Sequence, residues 1–285
     1  MAVLAIFSHA NILHVAVGDK ETSQTATFPL LTDYRLVLAQ VNTWLNTSEY
    51  TTLEFVVTSG HLPAPPPEGN LFHLHYEYHD FNREQVEILI SQKLAEQFGC
   101  PVYLVDPSYN GEGNAWAKVT GTPEIQRNCT AKGFILKYLA REEAKKSQLD
   151  LENSQFIVCH LDAEHHLAAV KGTKLMDALT SFDEGPFGLN HSGALPFESL
   201  IDLCLSAPSK ERIEQLLHQE GGLKGYLDLQ NLEDLFVSDK AQTELVKEAL
   251  MYQISKEIGA FAVVFSGKVD AIILSGELVR FDEAL

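Results

Sequence analysis

The second half of the chain opens with QFIVCHLDAEHHLAAV, residues 155–170. Its two ends are rich in apolar side chains and its middle is polar, so the segment predicts a β-hairpin made of residues 155–161 and 166–170. Lys171-Gly172 then turns the chain into a third strand, Leu175 to Ala178. A helix from Ala241 to Ile258 follows later, then a separate apolar segment from Phe261 to Phe265 and a strand from Ala271 to Leu274.

The first half shows the same order of elements. Two strands, Val3 to Phe7 and Ile12 to Val17, precede a polar strand from Thr22 to Phe28, a helix from Asp33 to Leu45 and a strand from Leu53 to Thr58. Strand, strand, strand, helix, strand therefore occurs twice, which predicts an α/β protein with two related domains facing a cleft. We expect residues 1–150 to form the first domain, including a linking helix from about Thr130 to Lys146, and residues 151–285 to form the second.

The composition excludes several classes of function. The chain has 285 residues, 45% of them hydrophobic, and a formal net charge of -18, so neither nucleic acid nor an anionic membrane surface is an expected partner. The four cysteines form no CxxC pair, which argues against structural zinc and a disulfide framework. The N-terminus is apolar but interrupted by His9, Asn11 and His14, unlike a signal peptide, and no apolar stretch is long enough to cross a bilayer. We therefore expect a cytoplasmic protein.

Six segments of the second half follow one another in a recognisable order. They are Asp183-Glu184-Gly185-Pro186-Phe187, Ser192-Gly193-Ala194-Leu195-Pro196, Leu200-Ile201-Asp202-Leu203-Cys204, Gly221-Gly222-Leu223-Lys224-Gly225-Tyr226-Leu227, Met251-Tyr252-Gln253-Ile254-Ser255-Lys256-Glu257-Ile258-Gly259-Ala260 and Val269-Asp270-Ala271-Ile272-Ile273-Leu274-Ser275-Gly276. Together they closely resemble butyrate kinases and, more distantly, acetate kinases. Val105-Asp106-Pro107 and Gly121-Thr122-Pro123-Glu124-Ile125 are similar to the same family, and the first hundred residues match it by pattern only.

This resemblance implies two ribonuclease H-like α/β domains, with ATP and magnesium bound between them and a small carboxylate as phosphoryl acceptor. Such a transfer needs glycine-rich turns that bring backbone N–H groups to the phosphates, and cations that offset the spreading negative charge. The family pairs through its second domain, so a homodimer, or a heteromer with a related kinase subunit, is expected. The family also continues beyond the position of Leu285, which predicts an incomplete second domain.

Both phosphate turns depart from the family pattern. The first, Phe7 to Ile12, has no glycine, which leaves Ser8 and Asn11 as candidate ligand contacts. In the second, Asp162 and Glu164 stand in the hairpin where the family has three glycines. Two like charges about 4 Å apart cost roughly 4 kcal/mol at an effective dielectric constant near 20, so we expect ATP to bind weakly or not at all.

Several positions of the family's reaction site are changed as well. His191 stands where the kinases have an arginine, and a mostly neutral imidazole cannot hold two phosphate oxygens as a guanidinium does. A second arginine and a histidine of the family are missing around Thr58-Ser59-Gly60 and within Asn128 to Ala131. Ser275-Gly276-Glu277 replaces a Thr-Gly-Gly adenosine motif. Asp106 is the candidate that survives, matching the family's acidic residue near the carboxylate and magnesium.

Two histidine-containing segments leave a metal site open as an alternative. Asp162, Glu164 and the neighbouring histidines are all possible ligands, although a solvated polar hairpin tip is the preferred interpretation. His73, His75 and His79 alternate along one face of a possible strand, and the preferred interpretation is an exposed face with Leu74 inward. We therefore assign no metal ligand.

Three functions remain open from the sequence. The leading hypothesis is a kinase homologue without efficient phosphoryl transfer that acts as a binding or partner subunit. The second is a working carboxylate kinase with altered chemistry that uses Asp106 and His191. The third is an unrelated hydrolase or metal-binding protein that uses the hairpin histidines and carboxylates, which the fold alone does not exclude.

Overall fold

The computed structural model describes residues 2–9, 12–31, 33–60, 71–74, 86–107, 112–238 and 241–281. The chain divides into two compact units, Met1–Gly111 and Glu112–Leu285. The predicted boundary between residues 150 and 151 stays a prediction. The division by contacts falls earlier, so the helix expected to link the halves groups with the second unit.

The first unit is built on a six-stranded mixed sheet with the order β3-β2-β1-β4-β6-β5. Strands β1 to β3 form an antiparallel meander, β4 lies parallel to β1, β6 lies parallel to β4, and β5 is antiparallel to β6. Its elements are β1 Ala2–His9, β2 Ile12–Gly18, β3 Ser23–Pro29, α1 Tyr34–Leu45, β4 Leu53–Thr58, β5 Leu71–His73, α2 Val86–Phe98 and β6 Val102–Val105.

The core of the first unit follows from two sequence periods. Every second residue of β2, namely Leu13, Val15 and Val17, is buried, as expected for a strand with one face against a core. In α1 the residues spaced by four, Val37, Val41 and Leu45, are buried. The Asp33 carboxylate caps α1 by accepting a hydrogen bond from the backbone N–H of Arg35 at 3.0 Å.

The second unit is built on a four-stranded sheet with the order β10-β7-β8-β9. The hairpin β7–β8 and the next hairpin β8–β9 are antiparallel, whereas β10 lies parallel to β7. Its elements are α3 Gly133–Lys146, β7 Gln155–Leu161, β8 His165–Lys171, β9 Lys174–Thr180, α4 Phe197–Ser206, α5 Lys210–His218, α6 Gly222–Leu227, α7 Asp234–Val237, α8 Thr243–Val264 and β10 Ala271–Ser275, with short 3-10 turns at Ala115–Lys118, Leu151–Asn153 and Leu278–Arg280.

Strand β7 is covered on both faces, which explains its nearly continuous apolar sequence. Phe156 and Val158 pack in the cluster with α3, whereas Ile157, Cys159 and Leu161 pack in the cluster with α8. The second sheet is therefore a middle layer with helices on both faces. Polar residues such as Asp162 and Ser275 stand at the ends of its strands.

The repeated order predicted from the sequence is confirmed. Counted from the meander, β3-β2-β1-β4 in the first unit corresponds to β9-β8-β7-β10 in the second. In both units the fourth strand of this set lies parallel to its neighbour in the meander, β4 to β1 and β10 to β7. Because the carboxyl ends of parallel strands meet at one edge of a sheet, each unit collects its post-strand residues at that edge.

One local expectation is wrong, and a second falls partly on residues that the structure does not describe. The segment Phe261 to Phe265 is not separate from the preceding helix, since α8 continues through Gly259 to Val264. A single glycine in a helix costs only about 1 kcal/mol, which packing of Phe261 against the core offsets. In the histidine-rich strand, His73 is exposed and Leu74 is buried, as expected, while His75 and His79 lie outside the described residues.

Candidate functional site

Most of the β7–β8 hairpin tip is buried, so the expectation of a solvated polar tip is wrong for Asp162. Asp162 is only 8% exposed, and His165 and His166 are buried as well. Two segments cover the tip: the loop after β9, where the Leu189 N–H donates to the Ala163 carbonyl at 2.9 Å, and the residues that follow β10. Residues distant in the sequence therefore cover much of a turn that the hairpin sequence alone predicted to be exposed to solvent.

Hydrogen bonds to His160 and to the backbone N–H of Glu277 hold Asp162 at this tip. One carboxylate oxygen accepts from the backbone N–H of Glu277 at 2.6 Å, and the other lies 2.9 Å from Nε2 of His160. Charge-assisted hydrogen bonds of this kind are short and strong. The carboxylate thus occupies a backbone donor at the end of β10 that is no longer available to a bound anion.

Ser275 and Gly276 lie beside the hairpin, at the end of β10. Ser275 Oγ lies 3.0 Å from Nδ1 of His160. Gly276 has φ +100°, and a Cβ added there would lie 2.6 Å from the carbonyl oxygen of Leu161. A side chain does not fit between the two strand ends, which explains glycine at this position. Asp162, Ser275 and Gly276 are therefore brought together at one end of the second sheet.

Glu164 lies on the same turn and is less enclosed. Its side chain is 30% exposed, and its Oε1 lies 3.7 Å from Nε2 of His166. The hairpin therefore carries two carboxylates within one short turn, with histidines as their close neighbours.

Three neutral histidines line the region around this tip. Burial lowers the pKa of His165 to about 4 against the opposing effect of Asp162, and burial lowers the pKa of His166 well below its usual value. Burial, together with His218 and Lys132, lowers the pKa of His191 to about 4. At pH 7 all three imidazoles are therefore uncharged, so His191 provides no positive charge in place of an arginine.

The region also contains buried polar atoms without a hydrogen bond. Neither ring nitrogen of His165 reaches a hydrogen-bond partner at normal geometry, and Thr180 Oγ1, opposite His166 across β8 and β9, is unpartnered as well. Unsatisfied buried polar groups of this kind cost about 1–3 kcal/mol each. The ring of His191 lies near those of Phe182 and His218, with centroids 5.7 and 6.0 Å away.

Lys132 is a cation that sequence reasoning missed. This residue precedes α3, its backbone N–H lies 3.4 Å from Nδ1 of His166, and its charge lowers the pKa of both His166 and His191. No sequence signal marked Lys132, because its proximity to the hairpin arises from α3 packing on β7 and β8.

Arg127 is a second residue that sequence reasoning missed, and carboxylates hold it. Its Nε donates to Glu184, its Nη1 lies 3.2 Å from Asp177 and donates to the Ala117 carbonyl at 2.7 Å. Burial, Glu184 and Asp177 in turn raise the pKa of Glu257 on α8. Arg127 therefore neutralises the carboxylates of Asp177 on β9 and Glu184 in the loop after β9. These ion pairs connect that loop to the sheet.

Replacing Arg127 with methionine is expected to destabilise the second unit by about 2–4 kcal/mol, because Asp177 and Glu184 lose their shared cation in a partly buried place. Urea denaturation at pH 7 measures the effect. Arg127→Lys keeps the charge but not the planar fork, so it should recover part of the loss. Wild-type stability of Arg127→Met would show that the ion pairs contribute nothing.

The candidate residues of the first unit lie at one edge of its sheet. Ser8 is near the end of β1, paired with Leu13, and Asp106 follows β6. Asp106 is buried and has φ +41°, a left-handed conformation that aspartate tolerates better than most residues. Asn11 lies outside the described residues.

The described residues fit a magnesium–triphosphate group poorly. Around the hairpin tip, the described residues include the carboxylates of Asp162 and Glu164, three neutral histidines and the cation Lys132. Among the residues that the structure describes, no group of three or more His, Cys, Asp or Glu side chains is arranged to hold a metal ion. No described helix is both long and apolar enough to span a membrane.

Comparison with known structures defines the class of protein first. The chain aligns over 95% of its length with acetate kinase from Porphyromonas gingivalis (TM-score 0.73, 14% identity, 82% of that chain). It aligns over 98% with acetate kinase from Entamoeba histolytica (TM-score 0.75, 15% identity, 82% of that chain). At these identities the likeness establishes the fold, which is the two-domain α/β fold of acetate and propionate kinases.

Sequence comparison then establishes the family. The Acetokinase family model matches residues 121–279. A probable butyrate kinase from Listeria monocytogenes serotype 4b is 35% identical over 199 residues, covering 67% of this chain and 56% of that protein. Probable butyrate kinase 2 from Caldanaerobacter subterraneus is 29% identical over 261 residues, covering 85% and 72%. The chain belongs to the acetokinase family, which confirms the resemblance, and it spans 56% of the length of the Listeria relative.

Proposed function

We propose that this acetokinase-family protein does not transfer phosphoryl groups efficiently and acts as a binding or partner subunit. One observation carries the proposal. At the β7–β8 tip, Asp162 is buried and bonded to His160 and to the Glu277 backbone N–H, with Glu164 on the same turn. A triphosphate approaching this turn meets negative charge, and the donor at Glu277 is already in use.

The neutral state of His191 supports the same proposal. Phosphoryl transfer relies on fixed positive charge around the developing transition state. An imidazole with a pKa lowered to about 4 carries no charge at pH 7. Each lost electrostatic contact of this kind costs roughly 2–4 kcal/mol of barrier lowering, and such losses are not additive.

We expect that removing the two hairpin charges tightens nucleotide binding. The double variant Asp162→Asn, Glu164→Gln should bind magnesium–ATP at least about tenfold more tightly than wild type, because two unfavourable charges disappear with little change of shape. Isothermal titration calorimetry with millimolar magnesium–ATP measures both proteins. The matched control is Glu198→Gln, Asp202→Asn on the exposed helix α4, which changes the net charge equally. Equal gains in both variants would assign the effect to overall charge instead of the hairpin.

A working carboxylate kinase is the second candidate, since the Listeria relative is described as a probable butyrate kinase. Trapping of acyl phosphate with hydroxylamine, in the presence of magnesium–ATP and butyrate or acetate, separates the two. Product at rates typical of enzymes, about 1 per second or faster, would overturn the leading proposal. Asp106 and His191 are the residues that this second candidate would use.

The remaining parts of the proposal concern ligand, partner and location. A small carboxylate is the proposed ligand, because the family resemblance implies such an acceptor. We expect a homodimer, or a heteromer with a related kinase subunit, in the cytoplasm. Multi-angle light scattering of the purified chain tests the homodimer, and a mass of one chain across micromolar concentrations contradicts it.

A further inference from the structure

Three residues at the carboxyl edge of the second sheet form a continuous hydrogen-bonded line. Ser275 Oγ lies 3.0 Å from Nδ1 of His160, and Nε2 of the same ring lies 2.9 Å from Oδ2 of Asp162. A hydroxyl, an imidazole and a carboxylate in this order are the arrangement that activates a serine nucleophile, which is recognised by geometry and not by order in the sequence.

The tautomer that this geometry favours is the one that a nucleophilic serine requires. An ionised carboxylate only accepts hydrogen bonds, so Asp162 draws the ring proton to Nε2 of His160. Nδ1 then carries a lone pair that faces the Ser275 hydroxyl. The Cys159 carbonyl is a more distant acceptor for the same hydroxyl, at 3.5 Å. The shorter contact therefore directs the serine proton toward the base.

The carboxylate and the imidazole are mostly buried and the serine is partly exposed, as a nucleophile that meets a substrate must be. The side chains of Asp162 and His160 are 12% and 14% exposed, so both are well fixed without being sealed from solvent. The second oxygen of Asp162 is held by the Glu277 N–H, which fixes the carboxylate plane. Ser275 is the last residue of β10 and is partly exposed, and Gly276 follows it with φ +100°. In serine hydrolases the N–H after the nucleophile supplies an oxyanion donor, and Gly276 stands at that position.

We propose that Ser275, His160 and Asp162 form a catalytic triad that hydrolyses small activated acyl esters. Ser275 Oγ bonds to the acyl carbon while His160 Nδ1 takes the hydroxyl proton. The ester C–O bond then breaks, and the alcohol leaves with the proton from His160. Water attacks the acyl-serine, His160 takes a proton from that water and returns it to the serine oxygen, and the carboxylic acid departs. One ester and one water give one acid and one alcohol, with no change of oxidation state.

Covalent labelling tests the nucleophile directly. A fluorophosphonate probe should modify Ser275 in the full chain, as located by peptide mass spectrometry. Labelling should be lost in Ser275→Ala and in His160→Ala, and it should be strongly reduced in Asp162→Asn, where an amide reverses the ring tautomer. Ser206→Ala, at an exposed serine ending α4, is the matched control and should label as wild type does. Absence of label on Ser275 in the folded wild-type protein overturns the triad.

Ester hydrolysis tests turnover. The chain should hydrolyse 4-nitrophenyl acetate or butyrate, measured in a Cys204→Ser background because Cys204 is the exposed thiol among the four cysteines. Ser275→Ala should lower the rate of ester hydrolysis on the order of a hundredfold. An unchanged rate would show that the three residues have a structural role only and would overturn the triad. If Ser275→Ala fails to fold, the mass-spectrometric result on wild type still decides. The proposed loss of phosphoryl transfer is tested separately by hydroxylamine trapping, so either proposal can fail alone.

Discussion

Replacing Gly222 with alanine is expected to destabilise the second unit by at least about 3 kcal/mol. Gly222 has φ +59°, a left-handed conformation that costs about 1–2 kcal/mol for a residue with a Cβ. An added Cβ would also collide with the carbonyl oxygen of Gly188 and lie 2.8 Å from that of His191. Those atoms are backbone, so relief requires moving the loop that carries His191, where the Leu223 N–H donates to the Gly188 carbonyl at 3.0 Å.

Gly259 provides a matched control of opposite sign. It lies inside α8, and nothing approaches within 4 Å of an added Cβ. Gly259→Ala should therefore stabilise the chain by roughly 0.5–1 kcal/mol through helix propensity. Urea denaturation gives the two free energies, and hydrogen exchange by mass spectrometry locates the change. Faster exchange in residues 185–193 of Gly222→Ala is expected, and equal stability of the two variants would contradict the close backbone approach.

Acid should destabilise the second unit between about pH 6.5 and pH 4. Burial lowers the pKa of His165 and of His191 from 6.5 to about 4. The unfolded chain therefore binds more protons than the folded chain in this window, and the free energy of unfolding falls as pH decreases through it. The stabilisation is complete above pH 6.5. Each histidine contributes a loss of up to roughly 3 kcal/mol by pH 4, and their proximity makes the sum smaller.

His165→Leu separates this effect from general acid denaturation. Neither ring nitrogen of His165 has a hydrogen bond of normal geometry, so a leucine of similar size should leave stability at pH 7 unchanged or raised. It should also flatten the fall of stability between pH 6.5 and pH 4. His73→Leu changes an exposed histidine of the first unit and should leave the pH dependence as in wild type. If the free energy of unfolding of His165→Leu falls with pH as steeply as that of wild type, then His165 does not contribute to the acid destabilisation.

The secondary structure could be predicted because local patterns and tertiary packing agree in most elements. The local patterns of β2 and α1 predicted a strand and a helix, and the structure has both. Prediction failed at the end of α8, where the helix was expected to end at Ile258 but continues to Val264, with Phe261 buried in the core. Local propensity was overruled there by packing between residues distant in sequence.

The candidate site was predicted in part. The strand-end positions of Asp162, Ser275 and Gly276 follow from motif order, and the structure joins them. What the sequence did not reveal was burial of the hairpin tip, because the covering residues lie more than 20 positions away. Nor did it reveal the pairing of Arg127 with Glu184, separated by 57 residues. Both depend on side-chain contacts that no local pattern records.

The separation of the two sheets into different hydrophobic clusters has a consequence for how such a protein evolves. Each unit has its own apolar interior, and Asp162, Ser275 and Gly276 at the strand ends of the second sheet are not part of it. Replacing a polar side chain there removes no apolar packing, so the chemistry of the strand ends can change while the hydrophobic clusters stay intact. A lineage can lose an ancestral reaction one contact at a time and still inherit an intact architecture.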